Sequence, residues 1–228
     1  IEKIDIKTDL RFMKPREIKT TGYIIISSDR GLCGGFNSNI FKLAEEEIEK
    51  RDTVPILLTI GNKATEHFKR LGYNVAFSTP TIVEDNPYEK VHAIIQRIRE
   101  RYLKKEVDEI VLINTKFINS LTQVPRAKVL LPLDLDGIRD NASEHGRKLP
   151  EGDIEYDPSP RELLDYLIPR YTELELYKAQ IENAVCEHVA RRLAMDNATS
   201  SAEDMLASLK TSYNRVRPTE ITNELIEI

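Results

Sequence analysis

The chain is poor in the features that announce chemistry. It has two cysteines, Cys33 and Cys186, far apart and in no CxxC or zinc-type spacing. The compartment rule makes them reduced and unpaired. No apolar run approaches the roughly 18 residues of a membrane helix; the runs are short, such as Ile24–Ile26, Ile56–Leu58 and Val129–Leu131. No direct membrane span is therefore expected. Basic residues are outnumbered, 33 Lys and Arg against 38 Asp and Glu, for a net charge of −5. That argues against nucleic acid as a partner, because phosphate binding needs a dense basic face. No secretory leader opens the chain, and no initiating Met either, so a piece is expected to be missing at the front.

Glycine and proline are absent in a revealing place. All 9 glycines lie at or before Gly152, and neither breaker occurs from Arg170 to Arg217. The 228 residues, 40% hydrophobic and 31% charged, thus fall into two regimes of one foldable chain.

The first regime alternates strand and helix patterns. Strands are expected over Thr20–Ser27, Val54–Ile60, Tyr73–Ser78 and Asp108–Asn114, all β-branched or apolar. Helices are expected over Asn37–Lys50 (Ile40, Phe41, Ala44 and Ile48 inward), Asn62–Leu71 (ended by Gly72) and Pro87–Leu103 (Val91, Ile94, Ile95, Ile98 and Leu103 inward). Gln123–Leu133 carries Pro125 and Pro132 and reads as an edge strand. The order implies a largely parallel sheet with helices on both faces. Asp136–Pro160 reads as a polar mobile loop, with one short strand at Ile154–Tyr156.

A helix starts at Ser159-Pro160-Arg161-Glu162. It is expected to run to Ile168 and to break or bend at Pro169. The second regime follows as one long helix, or two broken near Asp196–Ser201 where propensity is weak. Its apolar positions recur every three or four: Ile181, Val185, Val189 and Leu193, then Ala198, Ala202, Met205, Leu209, Tyr213 and Val216, then Ile221, Leu225 and Ile228. This is a coiled-coil-like stripe. A continuous helix from Arg170 to Arg217 spans roughly 70 Å, against roughly 40 Å for the globular body. It has to project, and its stripe needs a mate.

Candidate sites are few. Ser28-Asp29-Arg30-Gly31-Leu32-Cys33-Gly34-Gly35-Phe36-Asn37 lies between a strand and a helix, where nucleotide folds hold phosphate. Its glycines do not follow GxGxxG or the P-loop spacing. A tight turn is the simpler reading; an anion site or a partner contact stays open. Cys33, near a helix start, could be an activated thiol, but a buried inert one is the plainer reading. His67, His92, His145 and His188 show no metal spacing. The acidic run Glu45–Glu49 reads as a solvated face. No catalytic residue, metal site or cofactor is expected.

Two blocks then give the chain a likeness. One is Ile26-Ser27-Ser28-Asp29-Arg30-Gly31-Leu32-Cys33-Gly34-Gly35-Phe36-Asn37-Ser38-Asn39. The other runs from Asn183-Ala184-Val185-Cys186-Glu187-His188 through Ala194-Met195-Asp196-Asn197-Ala198-Thr199 to Tyr213-Asn214-Arg215 and Ile221-Thr222-Asn223-Glu224-Leu225-Ile226-Glu227-Ile228. Together they resemble the gamma subunit of the F-type ATP synthase. The resemblance implies a Rossmann-like α/β body with a mostly parallel sheet, and a long C-terminal helix that forms half of an antiparallel coiled coil. The body would occupy residues 1–158 and the helical part residues 159–228, with the N-terminal helix absent.

The implied role is a non-catalytic central rotating shaft that couples proton-driven rotation to ATP synthesis or hydrolysis at the beta subunits. The alternative is a stand-alone nucleotide-binding module using Gly31–Gly35. Implied partners are the alpha and beta subunits of the catalytic ring, the epsilon subunit, and the ring of proton-carrying membrane subunits. The implied place is peripheral, on the cytoplasmic face of a bacterial membrane, or the matrix or stromal side in an organelle. Carried over by position, Arg215, Arg217, Ile221, Thr222 and Glu224 would meet the beta ring. Asp29, Arg30, Gly31, Gly34, Gly35 and Asn37 would form a structural turn or foot. Pro218 departs from the family, which usually has glutamine there. Asp136–Pro160 holds no cysteine, unlike the redox-switched plant-type relatives.

Overall fold

The computed structural model describes residue 12 and residues 17–81, 87–133 and 160–226, giving backbone alone for 87, 160, 161, 164 and 219–226. Asp136–Tyr156, including the expected short strand, lies outside the described residues.

Five strands form one sheet: β1 (Thr20–Ile26), β2 (Val54–Ile60), β3 (Val75–Thr79), β4 (Glu109–Phe117) and β5 (Gln123–Leu131). Their spatial order is β3-β2-β1-β4-β5. Strands β1 to β4 are parallel, and β5 runs antiparallel to β4 at the edge. The proline-bearing strand is thus where an interrupted ladder is tolerated. Helices α1 (Phe36–Lys50), α2 (Asn62–Arg70) and α3 (Pro87–Leu103) connect the parallel strands, and α4 (Pro160–Ile226) follows.

Alternation along the strands divides the core in two. Tyr23, Ile25, Leu57, Val111 and Ile113 pack with α1 and α2. Ile24, Ile26, Leu58, Ile60, Ile110 and Leu112 pack with α3 and the first half of α4. Strands buried on both faces explain the near-continuous apolar runs.

The structure corrects four expectations. Leu103 is exposed, and its neighbour Tyr102 points inward, fully buried beside Phe12. The aromatic side chain completes the helix face of Val91, Ile94, Ile95 and Ile98. Phe41 is only partly buried, because it lies over the rim and stacks on His67. Glu47 is not a solvated acid: it hydrogen-bonds Arg51, which also pairs with buried Glu109 of β4 at 3.0 Å.

Helix α4, finally, continues through Pro169 without a break, and of the two readings left open across Asp196–Ser201 it takes the one long helix. A proline deprives the carbonyl four residues earlier of its partner. Here those carbonyls belong to Asp165 and Asn214, both exposed, so water can take them. In the weak stretch, the Thr199 and Ser201 hydroxyls donate to the carbonyls of Met195 and Asn197. The polar side chains are satisfied inside the helix, and solvent sees no broken backbone bond.

Where β1 and β2 end, the backbone closes over Gly61 (φ +102°), whose missing Cβ would lie 2.5 Å from Ser27 Oγ and 2.6 Å from its carbonyl oxygen. Gly72 ends α2 at φ +84° with open space around it. Gly61→Ala is therefore expected to cost about 3 kcal/mol or more, from clash and backbone strain together. Gly72→Ala should cost only the left-handed backbone penalty, about 1–2 kcal/mol. Urea unfolding of the two variants checks the order, and equal losses would contradict it.

Candidate functional site

The chemistry-bearing residues collect at the carboxyl edge of the parallel strands. The strand order reverses direction about β1 and β4, which leaves a crevice between their ends. In doubly wound folds this is where ligands bind.

In this chain the crevice is occupied by α4. The helix climbs beside β4 and β5. Glu175 pairs with Lys128 at 2.6 Å, and two turns later Glu182 pairs with Arg126 at 2.7 Å. Burial works against the Lys128 ammonium, but hydrogen bonds to Glu175 and to the Tyr171 hydroxyl outweigh it and raise its pKa. At the crevice the fully buried Asn183 reaches both strands. Its Oδ1 accepts from the Thr115 amide at 3.4 Å, and its Nδ2 donates to the Ser27 carbonyl at 3.5 Å. One turn on, Cys186 donates to the Thr115 carbonyl at 3.8 Å. Its thiol is pushed up to about 11, chiefly by burial, with Glu182 adding to the shift. Thr172, Leu176, Ala179, Asn183 and Cys186, all buried, form the face that rides on the body.

The glycine-rich segment folds as a tight turn beside this helix. The Ser28 amide donates to Asn37 Oδ1 at 3.1 Å, and Asn37 Nδ2 donates to the Ser28 hydroxyl at 2.7 Å. That hydroxyl donates in turn to the Arg30 carbonyl at 2.7 Å. Asp29 ties three loops together: it accepts from the amide of Asn62, at the start of α2, and from both the amide and hydroxyl of Thr81. Gly34 takes φ +57°, and a Cβ there would touch Ala194 of α4 at 3.9 Å. Gly35 caps α1 without a side-chain bond. Gly31 is open on all sides. Leu32 is held at φ +63° while 77% exposed.

This arrangement fills ligand positions with the protein's own groups. A carboxylate, Asp29, sits where an anion would meet the α2 N-terminus. The Ser28 and Phe36 amides are already bonded, to Asn37 and to the Cys33 carbonyl. Cys33 is buried against Asn37 and Ser28, with Asn37 Nδ2 donating to its sulfur at 3.3 Å. Among the described residues no group of three or more His, Cys, Asp or Glu could hold a metal ion. His67 pairs with Glu45, and His92 with buried Glu173.

The second set of predicted residues is remote from the turn. From Met195 to Pro218 every residue of α4 is exposed. Arg215 and Arg217 lie in that free segment, roughly 30 Å along the helix from Ala194. Ile221, Thr222 and Glu224 continue the same helix. Asn183 is the functional residue that the stripe analysis missed. Its signal was a polar residue in register with Leu176, Ala179 and Cys186, on a different face from the Ile181–Leu193 stripe.

The chain's likenesses agree with this mechanical picture. A family model described as ATP synthase matches residues 2–228. A relative named ATP synthase gamma chain, from Alkaliphilus metalliredigens, is 39% identical over 98% of this chain and 75% of its own length. Another of that name, from Heliobacterium modesticaldum, is 37% identical over 93% and 73%. In solved structures, a chain of the Euglena gracilis mitochondrial ATP synthase superposes with TM-score 0.70 at 16% identity, covering 100% of this chain and 78% of that one. One from the Tetrahymena thermophila central stalk and c-ring gives 0.62 at 23%, covering 82% and 79%.

Replacing Asn183 by Leu keeps the branched shape but leaves the Ser27 carbonyl and Thr115 amide without their Asn183 partner. A loss of about 1–3 kcal/mol is expected, with faster hydrogen exchange at the Thr115 amide. Exchange as slow as in the parent would show that Asn183 is not what joins helix to sheet.

Proposed function

The chain belongs to the gamma-chain family of ATP synthase, and on that premise we propose that it performs no chemistry itself and works entirely through the rigidity of α4 and its mounting. It is the central shaft of the machine, partnered by the alpha and beta subunits around it and by the membrane ring below. Among its described residues no helix is long and apolar enough to cross a membrane. We assign it to the cytoplasmic face of a bacterial membrane, or the matrix or stromal side in an organelle.

One observation carries this reading. Helix α4 is gripped by the body as far as Ala194 and then runs free for about 36 Å to Pro218. Along the free part Met205, Leu206, Leu209, Tyr213 and Val216 are all more than half exposed. Each forgoes roughly 1.5–3 kcal/mol of burial, so this surface is made to be covered by partners. We propose the matching division of labour, a body over residues 1–158 and a helical part over residues 159–228.

Rotation of the body must reach the free helix without slack. The Lys128–Glu175 and Arg126–Glu182 pairs resist sliding along β5, and Asn183 fixes the helix over the strand ends. Asp29, Arg30, Gly31, Gly34, Gly35 and Asn37 form the foot beside the point of exit. Arg215, Arg217, Ile221, Thr222 and Glu224 are the contacts offered to the beta subunits, with Arg217 the principal charge. Each shaft angle then favours a different beta conformation, and the coupling is the difference in contact energy between angles.

In an immobilised ring of alpha and beta subunits, a bead on the body of this chain should turn as ATP is hydrolysed; hydrolysis with a stationary bead would sink the reading. Arg217→Ala should slow rotation by less than about tenfold, since one exposed charged contact is worth roughly 1 kcal/mol or less. With no cysteine in Asp136–Pro160, a dithiol reductant should leave the rotation rate unchanged.

A further inference from the structure

Strand β4 outruns its neighbour. Ile113 lies opposite Ile25, and β1 ends one residue later, yet β4 continues to Phe117. Together with β5 it stands about 10 Å above the end of β1. The turn that closes this hairpin, Ile118-Asn119-Ser120-Leu121-Thr122, has two large apolar side chains where small polar ones are usual. Ile118 is 54% exposed and Leu121 87%. The tip is nevertheless stiff. Asn119 Oδ1 accepts from the amides of Leu121 at 2.9 Å and Thr122 at 2.7 Å. The Ile118 and Asn119 amides both donate to the Thr122 carbonyl. Two apolar side chains are thus presented to solvent on an ordered support, which is how a contact is preorganised.

Position selects the partner. The hairpin rises at the same edge where α4 crosses from one face of the sheet to the other, since Thr115 of β4 binds both Asn183 and Cys186. Helix α4 climbs in the direction of β4, because its successive ion pairs, Glu175 to Lys128 and Glu182 to Arg126, meet β5 residues opposite Leu112 and then Asn114. The tip therefore points the way the shaft leaves. Whatever encloses the shaft beyond Met195 meets this tip next.

We propose that Ile118 and Leu121 form a bearing on the body that contacts an apolar surface on the underside of the ring of alpha and beta subunits, continuous with the ring's hold on the shaft. The inference rests on the shaft reading above. It adds a contact that turns with the body, at a larger radius than the helix itself. A given tangential force there supplies more torque than on the axis, so few contacts suffice to make the angle of the body felt by the ring.

The test uses the complete complex of this chain with its alpha, beta and epsilon subunits and membrane ring. Leu121→Cys is labelled with a benzophenone maleimide. This chain's own thiols are buried, at 2% and 0% exposure, so within it the label goes to the introduced one, and the unsubstituted complex labelled alike shows what the other subunits' thiols contribute. Val216→Cys on the free helix serves as the control. Irradiation should join position 121 to an alpha or beta subunit, and ATP hydrolysis should fall in proportion to the joined fraction, because rotor and ring are then tethered. If Val216→Cys links to the ring but Leu121→Cys links to epsilon, to the membrane ring or to nothing, the bearing proposal is wrong. If neither position links to the ring, the shaft reading has failed and the bearing falls with it.

Discussion

Everything else in this structure depends on what fills the crevice at the strand ends. A doubly wound sheet leaves a gap where its order reverses, lined by unpaired backbone groups at the ends of two adjacent strands. Those groups must be bonded by something, because a buried amide or carbonyl left alone costs about 1–3 kcal/mol. In a binding protein the ligand supplies part of that satisfaction. Here Asn183 supplies it permanently, accepting from Thr115 and donating to Ser27. The crevice that would make the fold a receptor has become the socket for its own helix. The reading of Gly31–Gly35 as a nucleotide loop loses its physical basis for the same reason. Its neighbouring anion position is held by Asp29, and the Ser28 and Phe36 amides are already bonded.

A socket transmits torque only if it resists motion in more than one direction. The two bonds of Asn183 are long, and alone they would be a weak joint. The apolar face of Leu176, Ala179 and Cys186 resists lifting. The paired carboxylates Glu175 and Glu182 grip β5 from the side at points two helical turns apart, which resists rolling and sliding. These pairs are half-buried, so solvent screens them less than surface pairs.

Most of this body was legible in the sequence. The strands were, because burial on both faces leaves runs such as Tyr23–Ile26 and Val54–Ile60 with almost no polar interruption. What was misread has a common cause: a residue's own preference gave way to what surrounds it. Pro169 normally breaks a helix, yet the carbonyl it orphans belongs to the exposed Asp165, so continuation is cheap. The stretch from Asp196 to Ser201 left one helix or two open, and hydroxyls that bond back to the preceding turn go with the single helix. Leu103 yields its inward place to Tyr102, whose larger ring reaches the core. Asn183 was the hardest to see. It lies between two apolar stripes, and nothing local shows that a sheet edge with unpaired groups will sit against it.

The exposed helix and the buried one are the same element under opposite demands. Up to Ala194 its contacts must be permanent, so they are apolar, interlocked and backed by ion pairs. Beyond that point they must be made and broken at each step, and a fully apolar surface would bind too strongly to let go. The exposed segment accordingly mixes Met205, Leu209 and Tyr213 with Arg215, Arg217 and a run of Ser, Thr and Asn side chains. Charged and hydroxyl groups at an exposed interface contribute roughly 1 kcal/mol or less each, which many contacts can sum and a single step can release. Pro218 fits the same logic. Its cost to the helix is small where water can reach Asn214, and it lies well beyond the socket that drives the shaft.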